Sequence, residues 1–96
     1  MPRLEMSMNP YVKQVYPLTD YQLEIMFENE ECRIFDVKPY LRRGVFVRLQ
    51  NRAVFQAVRV VAGSVEWPGE LDLSHDTLYL ESQPVVAPAA AEMASA

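Results

Sequence analysis

From Tyr21 to Phe27 the chain alternates: Tyr21, Leu23, Ile25 and Phe27 fall on one side, and Gln22, Glu24 and Met26 on the other. Successive side chains of a strand point to opposite faces, so this stretch predicts a strand with one buried face. Cys32–Val37 repeats the pattern, with Arg33, Phe35 and Val37 alternating with Cys32, Ile34 and Asp36. The polar run Glu28-Asn29-Glu30-Glu31 between them predicts a hairpin turn, with Asn29 suited to left-handed backbone. Tyr11–Tyr16 is a further candidate strand, ended by Pro17 and a turn at Leu18-Thr19-Asp20. These strands predict an antiparallel opening to the domain.

After Val37 the period is lost. Lys38–Arg43 predicts a short helical turn with Pro39 at its first position and Gly44 closing it. Val45–Gln50 leans to a helical turn, because Phe46 and Leu49 have helical spacing, although its valines favour a strand. Residues 53–61, rich in β-branched side chains, predict a strand, or two with a bulge. Gly63-Ser64 turns the chain into a strand at Val65–Trp67, which Pro68-Gly69 stops. Leu71 and Leu73 form a last pairing segment, and Ser74 caps a helical turn over Asp76–Leu80. The fold class expected is α+β: a small, mostly antiparallel sheet with one or two short helical turns in a single domain. Leu23, Ile25, Phe27, Ile34, Phe55, Val58, Val60, Trp67 and Leu71 are its expected core.

Half the residues are apolar, which suits a packed domain. Residues 1–10 read as an N-terminal arm, 11–82 as the domain and 83–96 as a disordered Ala/Pro tail. A core of this size buries only about 60% of the unfolded chain's surface, so its packing must be good. No stretch approaches the roughly 20 apolar residues of a membrane span, and the N-terminus lacks the apolar region of a signal peptide. Cys32 is the single cysteine, which fits a reducing cytoplasm.

His75 beside Asp76 has the composition of an oriented base, but no second histidine or Cys/His set accompanies it. A surface histidine in a helical first turn is the simpler expectation. Cys32 has acidic neighbours that would raise its pKa. The acidic pairs Glu30/Glu31, Glu66/Glu70 and Asp72/Asp76 lie in turns and at strand ends, where solvated acids are ordinary. Phosphate-binding and nucleophile-elbow motifs are missing. The expectation is a non-enzyme with no catalytic residues, no metal and no cofactor.

Charge, by contrast, is segregated. Lys38, Arg42, Arg43, Arg48, Arg52 and Arg59 lie in a stretch without a carboxylate between Val37 and Val65. That stretch carries +6 and the rest of the chain −10, giving the net −4. Arg42, Arg43, Arg48 and Arg52 are therefore candidate partner-binding residues. The competing expectation pairs these arginines internally with Glu24, Glu28 and Glu66. Direct nucleic-acid binding is not expected, since the flanking acids repel phosphate. Homodimerisation through free strand edges remains open.

The runs DYQLEIMFENEECRIFDVKPYL, VFQAVRV and VEWPGELDLSHDTLY together resemble the small, mostly bacterial Domain of Unknown Function 2442. The shared pattern is carried by Phe27, Asp36, Phe55, Trp67-Pro68, Asp72 and Leu78-Tyr79, over roughly residues 12–80. The resemblance implies an α+β fold like the N-terminal domain of a nitrifying-bacterium protein, and no established activity. Some relatives carry a helix-turn-helix domain after this module. Others are encoded beside another small protein, in the manner of toxin–antitoxin pairs. Where the family usually has Asn-Gly in the hairpin turn, this chain has Asn29-Glu30. The leading expectation is a module that binds a small protein encoded nearby, as an accessory or antitoxin-like subunit. The alternative is a small-ligand-sensing or transcription-regulatory module whose pocket is lined by Tyr40, Trp67 and Tyr79, with Asp36 or Asp72 as polar anchor.

Overall fold

The computed structural model describes residues 9–85. Strands β1 (Val12–Leu18), β2 (Gln22–Phe27) and β3 (Cys32–Asp36) form an antiparallel meander, which β7 (Gln83–Pro84) completes beside β3. A second antiparallel sheet contains β4 (Arg59–Val61), β5 (Ser64–Trp67) and β6 (Leu71–Leu73). Helix α1 (Arg52–Phe55) precedes the second sheet and α2 (His75–Glu81) follows it. The architecture is α+β, with its strands divided between two sheets.

The alternation places Leu23, Ile25 and Phe27 wholly inside, joined from β3 and its end by Phe35 and Val37. The second sheet contributes Val65, Trp67, Leu71 and Leu73 to the same cluster, and Leu49, Phe55 and Leu78 fill the space between. Of the expected core, Ile34, Val58 and Val60 are only half-buried. The sheets meet where the Val12 amide donates to the Gly63 carbonyl at 2.8 Å. Ala62 and Gly63, both with positive φ, make the two-residue β4–β5 turn. A side chain at Gly63 would also collide with the Tyr11 ring.

Four local expectations are corrected. Pro17 does not end β1 but lies within it opposite Leu23, which is tolerated because β1 is an edge strand and needs no outward donor there. Tyr21 precedes β2 with φ of 57°; its hydroxyl donates to the Gln50 carbonyl and its ring packs edge-on against Phe55. Residues 53–61 are not one strand. The Asn51 side chain accepts from the Ala53 amide and starts α1, and β4 begins only at Arg59. Lastly, the left-handed residue of the first hairpin is Glu30, with φ of 74°, and not Asn29. The loop has three residues, with Glu30 in the left-handed position that follows its turn, while Asn29 Oδ1 accepts from the Glu31 amide at 3.0 Å.

Left-handed backbone costs a residue with a Cβ roughly 1–2 kcal/mol, and glycine escapes most of that. Glu30→Gly should therefore raise stability by about 0.5–1 kcal/mol, despite loss of the exposed Lys13–Glu30 pair at 3.3 Å. Thermal denaturation followed by circular dichroism reads the shift directly.

Beside the same hairpin, Arg33, whose Nη1 also donates to Glu31 Oε1 at 3.1 Å, clamps the chain leading into β7. Its Nε donates to Ser82 Oγ at 2.7 Å, Nη2 donates to the Ser82 carbonyl at 2.9 Å, and its guanidinium lies 4.5 Å from the centre of the Tyr79 ring. The Val85 amide continues the pairing to the Cys32 carbonyl. The described pairing thus continues past residue 82, to Pro84 and Val85. The rest of the expected tail, and residues 1–8 of the expected arm, lie outside the described residues.

Candidate interaction surface

The acid-free stretch is laid over one side of the core by two 3₁₀ segments, Lys38–Tyr40 and Gly44–Gln50. Pro39 presets the first segment, and Lys38 is fixed at its start. The Lys38 ammonium lies 3.1 Å from both Asp20 Oδ2 and Asp36 Oδ1, and its hydrogen bonds to these two carboxylates raise its pKa. Tyr40 is held between Phe35 and Phe46, with ring centres 5.8 and 5.6 Å away, and its hydroxyl donates to Glu81 Oε1 at 2.6 Å. Burial, then the Glu81 hydrogen bond, push the Tyr40 phenol above its ordinary pKa.

Gly44–Gln50 is long for a 3₁₀ segment, and its three-residue period explains what it presents. Phe46 and Leu49, three apart, turn inward, Leu49 completely. Val45 and Arg48, also three apart, share an outward face, while Val47 and Gln50 share another. Val45 is 56% exposed and Val47 47%, high values for β-branched aliphatic side chains.

The four nominated arginines divide. Arg42, Arg43 and Arg48 are exposed, whereas Arg52 is half-buried with its guanidinium over Tyr21 and Phe55. Arg43 lies over the Tyr40 ring at 4.9 Å, and Arg48 Nη1 donates to the Gly69 carbonyl at 3.3 Å. Arg42 borders a cavity of about 350 Å³ together with Lys38, Leu41 and Gln50. Internal pairing with acids is realised at Arg59, 3.6 Å from Glu66. Aromatic rings engage Arg43 and Arg52 and a backbone carbonyl engages Arg48, in place of carboxylates.

The residues nominated for a ligand pocket are dispersed. Trp67 is 1% exposed, its indole N–H donates to the Phe55 carbonyl at 3.0 Å, and its ring stacks on Phe55. It is a core residue. Tyr79 packs edge-on against Phe27 and donates to Glu31 Oε2, far in sequence and partners from Tyr40. Asp36 is engaged with Lys38. Asp72 stands opposite Glu66 in the second sheet, beside a cavity of about 270 Å³ that also touches Val61, Ala62, Ser64 and Val65. Neither cavity borders Trp67.

His75 Nε2 lies 3.6 Å from Asp76 Oδ1, its ring against Tyr11, while Asn9 donates to the same Asp76 oxygen at 2.7 Å. Ser74 accepts from the Thr77 amide as the α2 cap. Cys32 Sγ donates to Glu24 Oε2 at 3.3 Å, and burial first, then Glu24, push the thiol's pKa up, away from nucleophilic reactivity. Among the described residues no group of three or more His, Cys, Asp or Glu side chains is disposed to hold a metal ion. No described helix is long and apolar enough to cross a membrane.

A family model described as a protein of unknown function, DUF2442, matches residues 12–84. This chain belongs to the DUF2442 family. The match begins at the first residue of β1 and ends at the last of β7, so the DUF2442 unit is the two-sheet domain itself. No curated protein and no solved structure shows significant similarity to the chain. Within this DUF2442 domain, two features escaped the sequence reading: the outward valines 45 and 47, and the Arg33 clamp. The three-residue spacing of Phe46 and Leu49 was the available signal for the first. The second depends on a contact across 49 positions and left no local trace.

Proposed function

We propose that this chain is a non-enzymatic interaction module that binds a small partner protein through the Arg42–Arg48 surface, in an accessory or antitoxin-like role. The observation that carries the proposal is the exposure of Val45 and Val47 among Arg42, Arg43 and Arg48. Contiguous exposed apolar patches rimmed by polar groups mark recognition surfaces, and arginine is enriched at interfaces while lysine is depleted. Five of the six cations in this stretch are arginine. Burial of Trp67 and dispersal of the other nominated pocket residues favour surface recognition over ligand sensing. Strand-edge dimerisation is disfavoured at β1 by Pro17 and Lys13, residues that blunt an edge. The family resemblance supplies the candidate partner, the small protein encoded alongside. We place the pair in the bacterial cytoplasm, where the lone thiol of Cys32 stays reduced.

Co-expression of the chain with that neighbouring protein should yield a complex that survives size exclusion at micromolar concentration. The double variant Val45→Asp/Val47→Asp should weaken it at least about tenfold, since it puts two desolvated carboxylates in the contact. Its unfolding midpoint should barely move, because exposed substitutions usually stay within about 0.5 kcal/mol. Failure of the native pair to associate would overturn the proposal.

A further inference from the structure

We infer, building on the interaction reading above, that the partner segment seated here is both acidic and apolar, and that one of its carboxylates enters the cavity beside Arg42. The charges around that cavity are unequal in what they can still bind. Lys38 is matched by Asp20 and Asp36, each 3.1 Å away. Arg42 makes no ion pair among the described residues, so its guanidinium is the cation at the cavity still able to take a carboxylate in a two-point contact.

The walls are set before anything binds. Gln50 Nε2 donates to the Leu41 carbonyl at 2.8 Å, fixing two lining residues to each other. Arg43 rests on the Tyr40 ring, and Tyr40 is tied to Glu81. Groups fixed before binding lose less entropy on binding. Val45 and Val47 lie between these arginines and Arg48 in sequence, exposed for aliphatic contact. A neutral apolar segment would leave the arginines unmatched. A free inorganic anion would leave the valines uncovered. A segment alternating carboxylates with valine or leucine satisfies both.

The test is an amide-resolved NMR titration of the native chain with two end-blocked synthetic peptides. One alternates Asp/Glu with Val/Leu, and the other has every acid replaced by its amide. The acidic peptide should perturb amides of residues 41–48, and its affinity should fall several-fold between about 50 and about 200 mM salt. Arg42→Gln should weaken it about tenfold. Arg42→Lys should recover only part, because an ammonium lacks the planar fork. The well-dispersed spectrum of each variant checks its folding. Equal binding of the neutral peptide, perturbation centred on the β4–β6 cavity, or full rescue by lysine would overturn the inference. So would phosphate alone reproducing the shifts, or self-association abolished by Arg42→Gln. If the encoded neighbour binds but the acidic peptide does not, the acidic-segment inference fails and the interaction reading stands. If the peptide binds at 41–48 and the neighbour does not, the proposed accessory role with that neighbour is overturned and the acidic-segment inference stands.

Discussion

Trp67→Ala should lower the unfolding free energy by about 3–5 kcal/mol, the range for emptying a buried aromatic site. Domains of this kind have roughly 5–15 kcal/mol in total, so the loss removes from about a fifth to nearly all of the stability. Two losses combine at Trp67. Its ring, 1% exposed and stacked on Phe55 with centres 6.5 Å apart, leaves a cavity between the second sheet and α1. Its N–H no longer meets the Phe55 carbonyl, which becomes a buried acceptor without its donor. Trp67→Phe separates the two, retaining much of the apolar contact while removing the donor. It should cost about 1–3 kcal/mol, as an unsatisfied buried group does. Urea titration monitored by far-UV circular dichroism measures both variants on one scale. Full stability of Trp67→Ala would mean that the indole is not part of the core.

The second large effect is expected at the other end of the molecule. Phe27 closes β2, is completely buried, and meets Tyr79 of α2 edge-to-face at 5.1 Å. Phe27→Ala should cost about 3–5 kcal/mol by the same cavity argument. It should also release Tyr79, on which Arg33 rests, and so loosen the pairing of β7 with β3. Because one continuous cluster links both sheets, Phe27→Ala and Trp67→Ala should each shift a single cooperative transition. Two separate transitions, one per sheet, would show that the sheets fold independently.

What could be read from the chain follows from where the physics is local. The β2–β3 hairpin is legible because side-chain direction in a strand has a period of two, and one slip would invert a buried face. Ser74 was recognisable as a cap because its oxygen reaches an amide only three residues on. The stretch 53–61 was misread because β-branched composition is a weak guide there; the Asn51 cap and the burial of Phe55 decide it. Glu30 in a left-handed position was missed because a three-residue loop, not a two-residue one, joins the strands.

The surface was legible only in part. Its charge is a property of sequence, and the acid-free arginine stretch was plain. Which arginines remain outward is not, since Arg52 is drawn onto Tyr21, a residue 31 positions earlier. Nor does the sequence show that Trp67 is satisfied internally, because its acceptor is a backbone carbonyl on another element. The exposure of Val45 and Val47 follows from the three-residue period of a segment that conventional helix and strand patterns do not describe.

Hydrogen–deuterium exchange of the chain, alone and with the small protein proposed as its partner, tests the Arg42–Arg48 surface most directly. Added protection should concentrate in residues 41–50, with β4–β6 and the Glu28–Glu31 turn little changed. Protection centred on those other segments, with residues 41–50 exchanging as in the free chain, would contradict it.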